Sequence, residues 1–286
     1  MNVLILAIST SLPCMAQERA TQPGEIVSSD SGTLASLDTI SLPDGLRDRD
    51  APIRDFDFGG QFRLRYHHEN NHRPSPTLSN GLGLTGTDDN FLLYRTRFWM
   101  DATVNDRLNL YAELLDAGST LENFPPRGNE VDRLDLHQAY ADITINDRLK
   151  AKIGRRSLDI GSTRYAGMGE WANTRRAFDG LQVSVAGQQF DVEAYYLHTL
   201  SMQPQNFNQT NYDVRLYGIY THQHVDEDMT RDYYWLTLEL ENTGARYDTF
   251  GTHLKGNRGN VLYEFEGGVQ AGRNPDQTGH LAGLAV

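Results

Sequence analysis

Between Gly154 and Gly180 the chain reads GRRSLDIGSTRYAGMGEWANTRRAFDG, with arginine at 155, 156, 164, 175 and 176. The protein as a whole carries a formal net charge of -12, so this run is a basic island in an acidic chain. Guanidinium groups are planar, permanently charged and matched in geometry to carboxylates and phosphates. A second set, Arg63, Arg65, Arg95 and Arg97, is spaced two residues apart within two short runs. Arginines in these patterns line a pore or grip an anion. Trp171 offers either a flat apolar face for a sugar ring or a place in an aromatic girdle or in the packing of a loop. Asp179, just before Gly180, either caps a turn or joins the basic path.

Other chemistries find less support. Glu170 and Asp179 form a carboxylate pair of the kind glycoside cleavage needs, but their spacing across a loop specifies no geometry. His67-His68 and His222-Gln-His224 read as solvated loop residues without further ligands at a telling distance, so no metal is expected. The chain has no Gly-x-Ser-x-Gly elbow and no phosphate-binding loop, and no cofactor is implied. Its acidity argues against nucleic acid as a partner.

The segments that must position the arginines alternate with period two. Phe56, Phe58, Phe62, Leu64 and Tyr66 share one face of a run whose other face carries Asp57, Gln61, Arg63 and Arg65. Tyr94, Phe98, Met100, Ala102 and Val104 likewise oppose Arg95, Arg97, Asp101 and Thr103. Strands of about ten residues, tilted, are long enough to cross a bilayer. Asn105-Asp106, Asn146-Asp147 and Gly187-Gln188 predict tight hairpin turns. Longer polar connections are expected over 68–90, 117–133, 159–176 and 199–211. Short turns at one end and long loops at the other are the pattern of an outer-membrane β-barrel. Tyr66, Tyr94, Trp99, Tyr140, Tyr234 and Trp235 are expected to form aromatic girdles. A soluble β-sandwich also alternates, and strand length, loop asymmetry and aromatic placement decide for the membrane.

The predicted fold is thus all-β, an antiparallel transmembrane barrel of the porin type. About eleven strands are recognisable, with 281–286 beginning a twelfth. With the apolar face in lipid, the lumen receives Arg63, Arg65, Arg95, Arg97, Lys150, Lys152, Arg156 and Arg215 among Asp101, Glu113, Glu193 and Glu239. Such a wall favours anions, although opposed charges in a general porin also merely shape the field.

Ahead of the strands, residues 1–16 read as a signal peptide cut after Ala16, lacking the usual basic start. Cleavage there removes Cys14, the single cysteine, and with it any thiol chemistry. Residues 17–55 read as a flexible leader and 56–286 as the barrel domain.

The segment from Gly154-Arg-Arg-Ser-Leu through Gly161, Arg164, Gly167, Trp171-Ala-Asn173, Arg176 and Phe178-Asp-Gly180 resembles the central signature of the bacterial alginate export family. Arg63-Leu-Arg-Tyr66, Arg95-Thr-Arg97, His137-Gln-Ala-Tyr140 and Tyr263-Glu-Phe-Glu-Gly267 are similar in kind and order to the features around it. The resemblance implies a monomeric channel in outer-membrane lipid that passes an acidic polysaccharide, or another anionic solute, through an arginine-rich constriction. Periplasmic secretion or assembly proteins are the further partners it implies. Carried over by motif, Arg155 or Arg156, Arg164, Arg175 or Arg176 and Asp179 belong to the constriction, and Arg63, Arg65, Arg95 and Arg97 extend the path. The family's barrel has about eighteen strands, which makes this chain either an N-terminal fragment or a smaller barrel. Two alternatives stand beside the exporter. One is a general or oligosaccharide-specific porin, the other a polysaccharide-processing enzyme on a β scaffold.

Overall fold

The computed structural model describes residues 36–41, 53–74, 86–123, 125–226, 228–275 and 280–285. The expected signal peptide lies outside them, as do most of the leader and the centre of the 68–90 connection. The described residues form one antiparallel sheet of thirteen strands in which every strand pairs with its neighbours in sequence. They are β1 (Ser36–Ser41), β2 (Asp55–Pro74), β3 (Gly86–Asn105), β4 (Leu108–Thr120), β5 (Asp132–Thr144), β6 (Leu149–Arg156) and β7 (Phe178–Val185). The series continues with β8 (Phe190–Ser201), β9 (Gln209–Asp226), β10 (Met229–Leu240), β11 (Ala245–Arg258), β12 (Val261–Arg273) and β13 (His280–Ala285).

The eleven strands foreseen from periodicity are β2 to β12, and the twelfth is β13. β1 was not foreseen and lies inside the segment read as a leader. It adds to β2 through backbone pairing, with a bulge between Leu37 and Ile40. Edge pairing of that kind needs no side-chain period, so the sequence gives little sign of it. Among the described residues no helix is long and apolar enough to cross a membrane.

The loop asymmetry is as expected. Turns at one end span only 106–107, 145–148, 186–189, 227–228 and 259–260. At the other end, 121–131, 157–177 and 202–208 are long while 241–244 is a four-residue turn, and β2 and β3 run further than the alternation suggested.

Burial is inverted relative to a water-soluble domain. Arg95 and Glu113 are fully buried, while Phe62, Phe98, Met100, Phe250 (57% exposed), Phe265 and Val269 stand open. Each large apolar side chain left uncovered forgoes about 1.5–3 kcal/mol of burial in water. Such side chains recur on every strand from β2 to β12, the polar-in and apolar-out pattern of a barrel that faces hydrocarbon.

The polar face is covered by the 157–177 segment, which also shows that the sheet curls. Ser162 bonds Glu266 on β12, while the Ala172 carbonyl accepts from Arg63 on β2 at 2.8 Å. Ten strand spacings of about 4.8 Å put β2 and β12 about 48 Å apart on a flat sheet. The chain from 162 to 172 spans at most about 36 Å when fully extended, and here it is bent by turns, with Ile160 paired to Ala166. Both contacts are met only if the sheet wraps around the segment. The covered face is therefore the concave, inner one.

Three residues expected in the aromatic girdles lie on that inner face instead. Trp99 packs on Gly59, Tyr140 stacks on Tyr111 at 5.1 Å, and Tyr234 lies over Gly251. Strand alternation assigns them there, because each is an even number of residues from a buried inner side chain. Tyr66, Tyr94 and Trp235 take the outward parity. The same alternation moves Arg215 and Glu239 out of the expected lumen set. They pair at 3.7 Å on the outer face, where Arg215 also meets Glu241 at 3.0 Å.

Candidate functional site

The inner segment exists because two strands stop early. β5 runs on to Asp132 and β8 to Ser201, but β6 ends at Arg156 and β7 begins at Phe178. The last β5–β6 pair is Ala139 with Arg155, so the outer half of β5 has no strand partner on that side. Through the notch the chain turns inward as 157–177. The 202–208 connection closes the wall beyond it: Arg133 N donates to Pro204 O at 3.0 Å, and Asn208 donates to Asp135 and Asp132, each at 2.8 Å.

Two anchors fix the segment. On one side Leu158, Ile160 and Ala166 join an apolar cluster with Phe178, Tyr195, Leu197, Leu216, Tyr234 and Leu236. Gly161 lies close against the Glu266 carboxylate at a positive φ of 57°, a place where a Cβ would collide with it. On the other side Asn173, buried, donates its amide to the carbonyls of Tyr94 (2.9 Å), Gly118 (3.1 Å) and Glu130 (2.8 Å). Those carbonyls belong to β3, β4 and the following loop, so one side chain stitches the segment to two strands.

Between the anchors lies a concentration of positive charge. Arg63 and Arg95 are directly paired across β2 and β3, as are Gln61 and Arg97. Arg63 donates to the Glu170 and Ala172 carbonyls at 2.9 and 2.8 Å, and Arg65 to the Trp171 carbonyl at 2.7 Å. Arg95 bonds the Glu170 carboxylate. Arg97 grips Glu113 with two bonds, at 2.8 and 2.7 Å, and Arg175 reaches Glu113 at 3.2 Å and Glu170 at 2.8 Å. Gln138 and the Tyr111 hydroxyl complete the shell of Glu113 at 3.1 and 3.0 Å. Five guanidiniums thus surround two carboxylates.

Within the segment, burial opposes ionisation of Glu170. The bond from Arg95 and the charges of Arg175 and Arg95 outweigh it and hold the carboxyl below its ordinary range. Burial, then the neighbouring Arg97 charge, lowers the proton affinity of Arg175. The first shift records a carboxylate set among cations, the second burial together with a neighbouring like charge.

The residues singled out from sequence divide into three groups. Arg63, Arg65, Arg95, Arg97 and Arg175 converge on the cluster just described. Arg156 lies beneath the segment, buried 5.6 Å over the Tyr195 ring, with Nε and Nη2 lacking partners among the described residues. Arg164, Arg176 and Trp171 are exposed on the segment itself. Arg155 and Asp179 are not part of this assembly. One residue along the ladder from the inner pair Arg156–Phe178, they take the opposite face. There Asp179 accepts two bonds from Arg155 (3.0 and 3.1 Å), which also donates to the Leu136 and Asn208 carbonyls and so ties the wall shut beside the notch.

Sequence reasoning missed a second inner cluster. Asp232 on β10 pairs across the sheet with His222 on β9 and His253 on β11. Its carboxylate meets His222 Nδ1 and Tyr220 OH, both at 2.5 Å, and His253 Nδ1 at 3.0 Å. His253 Nε2 reaches Glu264 at 2.8 Å, and Tyr234 OH donates to Glu266 at 2.9 Å. The histidines expected in loops are on strands, His67 and His68 on β2 and His222 and His224 on β9. The period-two spacing of His222 and His224 was the available signal, since it sets both rings on one face.

With this geometry in hand, the comparisons are specific. A family model described as alginate export matches residues 54–285, and no curated protein matches the chain. The match covers most of the chain, which belongs to the alginate export family.

Proposed function

We propose that this member of the alginate export family is a passive outer-membrane channel that carries an anionic polysaccharide past a basic inner segment. The observation that carries the reading is the inward fold of 157–177 against Arg63, Arg65, Arg95, Arg97 and Arg175 within a sheet whose apolar face is turned outward. A polyuronate bears one carboxylate per sugar. It is attracted by the excess of guanidinium charge and released because each site is shared with carbonyl and carboxylate acceptors already in place. Arg164 and Arg176, exposed on the segment, are the guanidiniums a passing polymer meets, and the five clustered arginines supply the field behind them.

Proposed with this are a monomer in outer-membrane lipid, an N-terminal signal peptide and periplasmic assembly or secretion partners. The runner-up is a porin that moves small solutes through the same wall. Its support is that Arg63 and Arg65 spend their donors on the segment's carbonyls. No catalytic step belongs to either reading.

The test is single-channel recording of the full-length protein in planar bilayers, with and without an oligouronate. Anion-selective conductance interrupted by polymer-dependent blockades supports the exporter. Conductance indifferent to the polymer favours the porin, and a water-soluble monomer without detergent overturns both. Arg164→Ala and Arg176→Ala are each expected to lower anion selectivity, and unchanged reversal potentials would remove those residues from the path.

A further inference from the structure

Trp171 is 70% exposed although it sits at the best-anchored point of the inner segment. Its own carbonyl and those of Glu170 and Ala172 all accept from wall arginines, at 2.7, 2.9 and 2.8 Å. The backbone is therefore held on both sides of the residue. Arg65 covers the indole from behind, its guanidinium carbon 4.6 Å from the ring centroid. An indole free to pack would bury its large apolar surface. Here the fold spends donors of two buried arginines to hold that surface open toward the lumen.

Reading the channel as above, we infer that Trp171 is a stacking platform for a pyranose ring and discriminates sugar polymers from other polyanions. The C–H groups on one face of a pyranose are weakly positive and complement the negative face of an aromatic ring. A guanidinium behind the indole fixes its plane through a cation–π contact and leaves the opposite face to the ligand. Charge alone recognises any polycarboxylate. A flat apolar surface beside that charge recognises one whose carboxylates are carried on saturated rings. The segment supplies both in adjacent positions, with Glu170, Trp171 and Ala172 fixed by the same arginines that create the field.

The experiment compares blockade dwell times in the full-length channel for an oligouronate and for polyglutamate of matched charge. Trp171→Leu keeps apolar bulk but no π-face, and Trp171→Phe keeps a smaller aromatic face. We expect the leucine variant to shorten oligouronate dwell about five- to tenfold through faster dissociation, to leave polyglutamate dwell unchanged, and to be partly rescued by phenylalanine. Equal shortening for both polymers would show that Trp171 acts only by holding the segment, and unchanged oligouronate dwell would show that it does not touch the sugar. Either result overturns the platform while leaving the channel reading in place. Absence of oligouronate blockades in the unmodified protein would overturn both together.

Discussion

The inner surface has two halves that solve the problem of buried charge differently. Beneath Trp171, β2 and β3 present permanent cations, and the two carboxylates set among them are held by arginine: Glu113 by Arg97 and Arg175, Glu170 by Arg95 and Arg175. Across the lumen, β9 to β12 present carboxylates held by hydroxyls and imidazoles, with Asp232 among Tyr220, His222 and His253, and Glu266 bound by Tyr234. The first arrangement fixes its charge at every working pH. The second shares protons and needs no permanent counter-charge. On the channel reading proposed above, an anionic chain between them would be drawn to one wall and weakly turned from the other, which would keep attraction from becoming capture.

The contrast is sharpest at its two hubs. Glu113→Ala is expected to cost about 3–5 kcal/mol of folding stability, because it strands Arg97 in a buried site and leaves Arg175 with Glu170 alone. Asp232→Asn is expected to cost about 1–3 kcal/mol, since its partners lose only hydrogen bonds to a charged acceptor. Unfolding midpoints of the refolded protein in urea, followed by heat-modifiable migration, give both numbers. Equal losses would erase the distinction between the halves. Asn173→Ala comes next, at about 1–3 kcal/mol for three carbonyls left short of donors. Its effect should be local: faster protease cleavage within 157–177 and a wider open channel, with the Asp232 cluster undisturbed. If cleavage stays slow, the apolar anchor around Ile160 suffices by itself.

The same asymmetry explains which parts were legible in the sequence. β2 and β3 were readable because Phe62, Arg63, Leu64 and Arg65 alternate without exception, and period two is a direct imprint of a two-sided sheet. The convergence of Arg63, Arg95 and Arg97 was readable too, since equal spacing on paired strands leaves little choice of face. The inward path of 157–177 was not. It depends on β6 and β7 ending short, and nothing in Leu149–Arg156 taken alone announces that β5 and β8 run further. Arg155 and Arg156 show the limit most clearly. Neighbours in a basic dipeptide look interchangeable, but the pleat sends one beneath the segment and the other to the opposite face, where it binds Asp179. The Asp232 cluster was hidden for another reason, since its members come from three strands and carry no local motif.

Acid provides the gentlest way to probe the arginine half. The carboxyl of Glu170 is held below its ordinary value, so its contribution is complete above the unfolded value of about 4.3 and is lost as pH falls through the folded one. Protonation removes the carboxylate shared by Arg95 and Arg175 and leaves Arg175 with Glu113 alone. The segment should therefore loosen below about pH 4. Because the Glu170 side chain is 51% exposed, solvent screens much of the interaction and the effect should be modest. Open-channel noise recorded from pH 7 down to pH 3.5 is expected to rise about twofold, with the conductance level nearly constant. Glu170→Gln should show the raised noise already at neutral pH and little further change on acidification. A variant that retained the full pH response would place the titrating group elsewhere, with the carboxylates of the Asp232 half the first to test. A response confined to acid in the unmodified protein, and lost in Glu170→Gln, would locate the pH-sensitive joint of the segment in the half whose arginines are otherwise indifferent to pH.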